Sequence, residues 1–284
     1  MLKIFPTQLD TYLNCPRKYR FGKDPELKRK YFKASPHLVL GNAVHDALQM
    51  FFDLGKTPVA ERTYERLCEL LRDAWAGRGI FKRNAWKQKQ AREEAFAGDR
   101  EAEKAWGQKG LNILYRFFQT QDTKAVPLTA EQFHEVRLTD TVTLGGKVDR
   151  IDRLEDGRLH VIDYKTGKPP SDRDRQNIRE EDLQLASYAL VVARKFRGQV
   201  ARCSYLYLND DLEVGYAPDD DLLARKEREL IELCGRIEAA WDAGSFPPTP
   251  NPLCGWCDFL EICDEGKAYQ AEREAAASQT ELPF

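Results

Sequence analysis

"GGKVDRIDRLEDGRLHVIDYKTGK", residues 145–168, is the stretch on which the fold turns. Two runs with β-branched residues flank Glu155, Asp156 and Gly157, and a three-residue loop with glycine third, where a left-handed backbone is needed, joins such runs as a hairpin. That loop sets Leu154 opposite Arg158 and, counting back, Asp149 directly opposite Asp163. Opposed residues project to one face with Cα atoms about 4.5–5.5 Å apart, and Lys165, two positions on, shares that face. A two-residue Asp-Gly turn would instead put Asp149 opposite Tyr164 and separate the acids. In the first register two carboxylates repel unless a cation lies between them, and a hard divalent ion with oxygen ligands is the usual answer. The other reading of the stretch is an exposed strand pair with alternating salt bridges.

Outward from the hairpin, "FHEVRLT" (133–139), "VTLGGKVDRIDRL" (142–154), "RLHVIDYK" (158–165) and "ARCSYLYL" (201–208) read as strands, with a further strand at 211–216. Helical periodicity marks 7–21, broken near Pro16, then 37–55, 60–122 with Trp75, Trp86 and Trp106, 181–196 and 219–242. This order predicts an α/β layer with a mixed central sheet flanked by helices. Along the chain it divides into a segment 1–55, a helical insertion 56–130, an α/β core 131–243, a cysteine segment 244–270 that follows the proline-rich "GSFPPTPNP", and a tail 271–284.

The 284 residues carry a net charge of −2, yet 32 % are charged. "ELKRKYFK" (26–33) and "FKRNAWKQKQAR" (81–92) are basic with interleaved aromatics, whereas "EVGYAPDDD" (213–221) is acidic. Basic stretches of that kind suit a phosphate backbone with unstacked bases, or are solvated helix faces. No run of about 18 apolar residues and no signal-peptide pattern in "MLKIFPTQLD" is present, so a cytoplasmic protein without membrane contact is expected. In such a compartment the seven cysteines are metal ligands or buried thiols rather than disulfides. Cys254, Cys257 and Cys263 form C-x2-C-x5-C, a ligand pattern that needs a fourth donor, for which Cys15 is the best placed by type. Cys68, Cys203 and Cys234, in apolar contexts, are expected to be buried thiols.

"GNAVH" (41–45), "GGKVDRID" with Asp149, "VIDYKTG" with Asp163 and Lys165, and "QLASY" with Gln184 and Tyr188 together resemble the RecB-type branch of the PD-(D/E)XK nuclease superfamily, over about residues 7–265. The resemblance implies a restriction-endonuclease-like fold that hydrolyses DNA. It implies that His45, Asp149, Asp163 and the Tyr164 carbonyl bind Mg²⁺ or Mn²⁺ while Lys165 serves the hydrolysis. An imidazole among oxygen ligands would favour Mn²⁺ somewhat. Gln184 and Tyr188, four apart, share a helix face and could reach the lysine or a DNA strand. Cys15 in "NCPRKYRF" with the distant C-terminal triplet resembles the iron-sulfur members of this branch, the AddB-type recombination and CRISPR adaptation nucleases, whose four thiolates hold a [4Fe-4S] cluster. A four-cysteine zinc site uses similar spacing and stays open.

The tail residues Gln279, Leu282 and Phe284 resemble the short peptide with which polymerases and repair proteins engage the DNA sliding clamp. No G-x-x-x-x-G-K-[ST] stretch occurs, so unwinding would fall to a helicase or recombination partner. The expected function is a metal-dependent exonuclease, single-strand preferring, in DNA repair, recombination or CRISPR adaptation. A non-catalytic iron-sulfur module that binds DNA ends is the alternative.

Overall fold

A computed structural model describes residues 2–78 and 85–280, of which 85–87 and 277–280 are described in backbone only. The chain opens with a short strand, β1 (Leu2–Ile4), and helices α1 (Pro6–Asn14), α2 (Pro16–Gly22), α3 (Pro25–Tyr31) and α4 (Pro36–Phe52). Each of these four helices begins with proline in its first turn, where the missing N–H costs nothing. The stretch 60–122, read from sequence as helical throughout, is three helices: α5 (Tyr64–Ala76), α6 (Ala85–Phe96) and α7 (Arg100–Thr120). Gly77 ends α5 in the left-handed conformation, at φ 63°.

Strands β2 (Thr129–Arg137), β3 (Val142–Arg153) and β4 (Leu159–Lys165) follow, then α8 (Asp172–Glu181), α9 (Leu183–Phe196), β5 (Val200–Tyr207), β6 (Leu212–Tyr216) and α10 (Asp220–Asp242). The sequence reading misses β1, α3 and α8 and begins β2 four residues late. The reason for α8 is physical: "DRDRQNIREE" has only Ile178 to bury, so it carries no apolar stripe. Finally α11 runs from Asp264 to Thr280, into the stretch read as a tail. Leu282 and Phe284 lie outside the described residues, as does Gln279 beyond its backbone.

The sheet is mixed and flanked by helices, as expected. Along it run β1, β3, β4, β5 and β6, with β2 antiparallel to β3; β4 and β5 are parallel. The hairpin takes the three-residue turn: Leu154 N–H donates to the Arg158 carbonyl at 2.9 Å, and Gly157 sits at φ 82°. Arg150 through Arg153 pair with Ile162 through Leu159, the register that counts back to Asp149 opposite Asp163.

Two cores lie on opposite faces. On one, Ile162, Tyr164 and Leu206 pack beneath α4, α5 and α7 with Leu48, Phe51 and Phe117. On the other, Ile151, Val161 and Tyr205 pack beneath α9 with Leu185, Tyr188 and Val192. Such apolar burial is worth about 25 cal/mol per Å², so α4 and α9 are fixed to their own faces. One feature of the sheet positions everything that follows. On the edge of β3 away from β2, β4 pairs only with residues 150–153 and β1 only with 142–144. Beyond Arg150, β4 leaves β3 and continues alongside β5 to Lys165. The sheet therefore opens into a fork bordered by residues 145–149 of β3 on one side and 163–165 of β4 on the other.

Candidate active site

The two aspartates flank the mouth of this fork. They are opposed in count, as the three-residue loop requires, but they are not a ladder pair, because the strands part at Arg150 and Ile162. The backbone N–H of Tyr164, left without a strand partner there, donates instead to Asp149 Oδ2 at 2.7 Å. Asp149 thus fills the gap between the strands, and both carboxyls are buried, at 6 % and 4 % exposure. Opening the sheet gives each face access to the same place: α4 delivers His45 from one side and α9 delivers Gln184 and Tyr188 from the other.

On the α4 side, His45 Nδ1 lies 3.3 Å from Asp149 Oδ1 and 2.8 Å from Glu131 Oε1. Glu131 is missed by the sequence reading, which starts β2 at 133. It is buried, counts opposite Asp149 between the pairs Ala130↔Arg150 and Gln132↔Val148, and holds a left-handed φ of 53°. A non-glycine residue in that conformation is strained, and such strain gathers at functional sites. Extending the register arithmetic to the β2–β3 pair would have found its position, though not its backbone angle. The ligand atoms of His45, Glu131 and Asp149 all lie within 4.8 Å of one another. Neighbouring ligands of an octahedral ion with bonds of about 2.1 Å stand about 3.0 Å apart, so these separations leave room for one divalent ion among the three. Lys147 forms an ion pair with Glu131 from the solvent side.

Asp163 takes the other direction. Its Oδ2 is 2.6 Å from Lys165 Nζ, and Gln184 bridges the pair, accepting from Lys165 at 3.1 Å and reaching Asp163 Oδ1 at 3.5 Å. The Gln184 amide also donates to the Tyr188 hydroxyl at 3.2 Å. Gly146 makes room for Tyr188: a Cβ there would stand 2.7 Å from its ring. Tyr205, paired to Asp163 across β4 and β5, is a second residue the sequence reading misses. Its ring lies 4.6 Å from Lys165 Nζ, and its hydroxyl reaches Asp182 at 2.8 Å and Gln184 at 3.1 Å. Asp182 in turn caps α9 by accepting from Leu185 N–H. The expected set therefore meets around the fork in two halves, His45 with Asp149 and Asp163 with Lys165, Gln184 and Tyr188.

Electrostatics separates the two acids. Burial opposes ionisation of Asp149, but His45, the Tyr164 N–H and Lys165 overcome it and hold this carboxyl below its usual range. Burial and then the Asp149 charge push Asp163 up to about 7, against the pull of Lys165. Burial alone would lower His45; Asp149 and Glu131 reverse that and hold it well above 6.5. One acid stays ionised while its neighbour holds a proton near neutrality, the response of carboxylates crowded together without a divalent ion.

Cys15, Cys254, Cys257 and Cys263 line one pocket with Phe21 and Phe259. Cys15 sits at the junction of α1 and α2. Its sulfur accepts from Thr249 N–H at 3.5 Å, and Cys254 Sγ accepts from Asn251 N–H at 3.3 Å. Arg17 pairs with Glu265, and Phe21 packs edge-on to Phe259 at 5.5 Å, so the pocket ties the N-terminal helices to the C-terminal segment. The other three cysteines are buried, as expected. No helix among the described residues is long and apolar enough to cross a membrane.

Comparison with known proteins adds to this geometry. The sequence profile of the PD-(D/E)XK nuclease superfamily matches residues 4–264. The gene 69 protein of Mycobacterium phage D29 is 24 % identical over 278 residues, covering 90 % of this chain and 94 % of that protein. Its counterpart in Mycobacterium phage L5 is 22 % identical over 288 residues, with the same coverage of 90 % and 94 %. A shorter match, 41 % over 46 residues, joins 16 % of this chain to 4 % of one subunit of the ATP-dependent helicase/deoxyribonuclease of Streptococcus agalactiae.

Proposed function

Because the chain belongs to the PD-(D/E)XK nuclease superfamily, we propose that it is a Mg²⁺- or Mn²⁺-dependent deoxyribonuclease whose active site is the fork between β3 and β4. The observation that carries this reading is the convergence there of His45, Glu131 and Asp149 on one side and the Asp163–Lys165 pair on the other. His45, Glu131 and Asp149 would hold the ion, and Asp163 with the Tyr164 carbonyl would complete its ligands from the other border of the fork. When bound, that ion supplies Lewis-acid polarisation of a phosphoryl oxygen and a lowered pKa for water. Lys165 offsets the negative charge that develops at phosphorus, and Gln184 and Tyr188 hold its ammonium in reach. The short match to a protein of a helicase/deoxyribonuclease favours the RecB-type branch and exonucleolytic, single-strand-preferring action beside a separate motor, in repair, recombination or CRISPR adaptation.

The cysteine pocket belongs to the same proposal as a [4Fe-4S] site. A single zinc ion with bonds of about 2.3 Å draws its thiolates to within about 4 Å of each other. All four cysteines line one pocket, and the likeness of their spacing to the iron-sulfur nucleases is what supports a cluster over a single zinc ion. The group's role is to staple the chain ends.

End-labelled single-stranded, duplex and circular DNA, incubated with Mn²⁺, tests the enzyme. Cleavage is expected from the unmodified protein and a loss of about a thousandfold or more from Asp163→Ala or Lys165→Ala, with DNA binding kept. DNA binding without cleavage by the unmodified protein would support the non-catalytic end-binding module instead.

A further inference from the structure

We propose that the cleft leading away from His45 is a track for one nucleic acid strand, in which Lys28 and Arg29 meet phosphates and Phe32 stacks on a base. The cleft, about 1030 Å³, begins at Glu131 and Asp149 and runs outward between α3 and α6. Its chemistry changes along the way. The inner end is acidic and suits a cation; the outer end carries Lys28 and Arg29 in the last turn of α3, where the helix's own field also favours positive charge. Phe32, which ends α3, lines the same outer stretch at 40 % exposure. The facing wall is α6, where Gln90 and Glu94 line the cleft and the buried Gln88 amide is taken up by Val39 and Asn42.

Helix α6 is fastened to α4 and to the link between α3 and α4. Gln88 donates to the Val39 carbonyl at 2.9 Å, and Ala34 N–H donates to Glu94 at 3.0 Å. Cations for a backbone beside an aromatic face for a base form the set with which proteins hold unpaired strands. A duplex offers such a cleft phosphates alone, since its bases are stacked inside. The inference rests on the nuclease reading for the identity of the inner end, and it specifies which form of substrate that end receives.

Fluorescence anisotropy in EDTA, so that no strand is cut, provides the test with three labelled probes: a base-bearing single strand, an abasic strand of equal length and a blunt duplex. The unmodified protein is expected to bind the base-bearing strand about tenfold more tightly than the abasic one. Phe32→Ala should erase that ratio and Phe32→Trp should keep it. Arg29→Gln should weaken both single strands alike and reduce the salt dependence by about one ion. A base-to-abasic ratio unchanged in Phe32→Ala, or duplex bound as tightly as the base-bearing strand, overturns the proposal. Mn²⁺-dependent hydrolysis of bis(p-nitrophenyl) phosphate by the unmodified protein reports on the nuclease reading separately, because that small diester needs no track.

Discussion

Asp163 is the residue whose charge state governs the metal-free site. Its folded-state pKa of about 7 lies above the 3.8 of an unperturbed aspartate. As pH rises from about 4 the unfolded chain releases this proton first, so the contribution to stability is full at low pH and is lost as pH rises through about 7. Metal binding must displace the same proton, and the proton on His45, which is held well above 6.5, adds in the same direction. Calorimetric titration with Mn²⁺ from about pH 5.5 to 8.5 should give affinity that climbs with pH, by up to about tenfold per unit for each of the two protons displaced; a flat profile would contradict it. Tyr205 offers a second check. Tyr205→Phe keeps the ring beneath Lys165 but leaves Asp182 and Gln184 short of a donor, and a buried unmet partner costs about 1–3 kcal/mol. The expected result is a roughly tenfold lower kcat, an altered pH profile and little change in KM. At this scale the sequence names Asp149, Asp163 and Lys165 through a hairpin spacing that leaves two registers open and through the resemblance of the surrounding motifs to a nuclease family. Glu131 and Tyr205 escape because each acts across a strand pairing that periodicity places late or leaves uncounted.

Among the elements, the hairpin was legible as a hairpin because Gly157 supplies a left-handed backbone, but a two-residue Asp-Gly turn uses the same freedom, and the Leu154–Arg158 hydrogen bond is what selects the three-residue loop. What no spacing could reveal is that the ladder stops at Arg150, since β4 shares its edge of β3 with β1, a strand the periodicity does not show. The glycine of β3 that faces α9 follows from this arrangement. Gly146→Ala would set a methyl 2.7 Å from the Tyr188 ring, which is only 5 % exposed and has little freedom to move. A destabilisation of about 1–3 kcal/mol is expected in thermal melts, with activity reduced beyond what the remaining folded fraction explains. An unchanged melting temperature together with full activity would show that α9 does not rest on this strand as described.

Across the whole molecule, the cysteines at positions 15 and 254–263 belong to segments that meet although most of the chain separates them. Joining such distant points removes a large share of the unfolded chain's freedom. Cys15→Ser is therefore expected to lower the melting temperature by several degrees and to reduce bound iron and sulfide together. Zinc without iron in the unmodified protein, prepared anaerobically, would replace the cluster by a single ion. The α/β class and the order of its layers were readable from periodicity, because strands and helices bury faces with different repeats. The pairing of distant chain segments was readable only through residue types that have few other uses, cysteine above all.

The opening in the sheet also has a mechanical meaning. Imidazole-bearing α4 and amide-bearing α9 are bolted to opposite sides of one wall and communicate only through a slot in it. Sliding one layer a few tenths of an ångström past the other would misalign the two half-sites while leaving each layer intact. Alignment of this enzyme's chemistry is thus a property of how its two cores are pressed together, and residues far from any phosphate inherit a part in it.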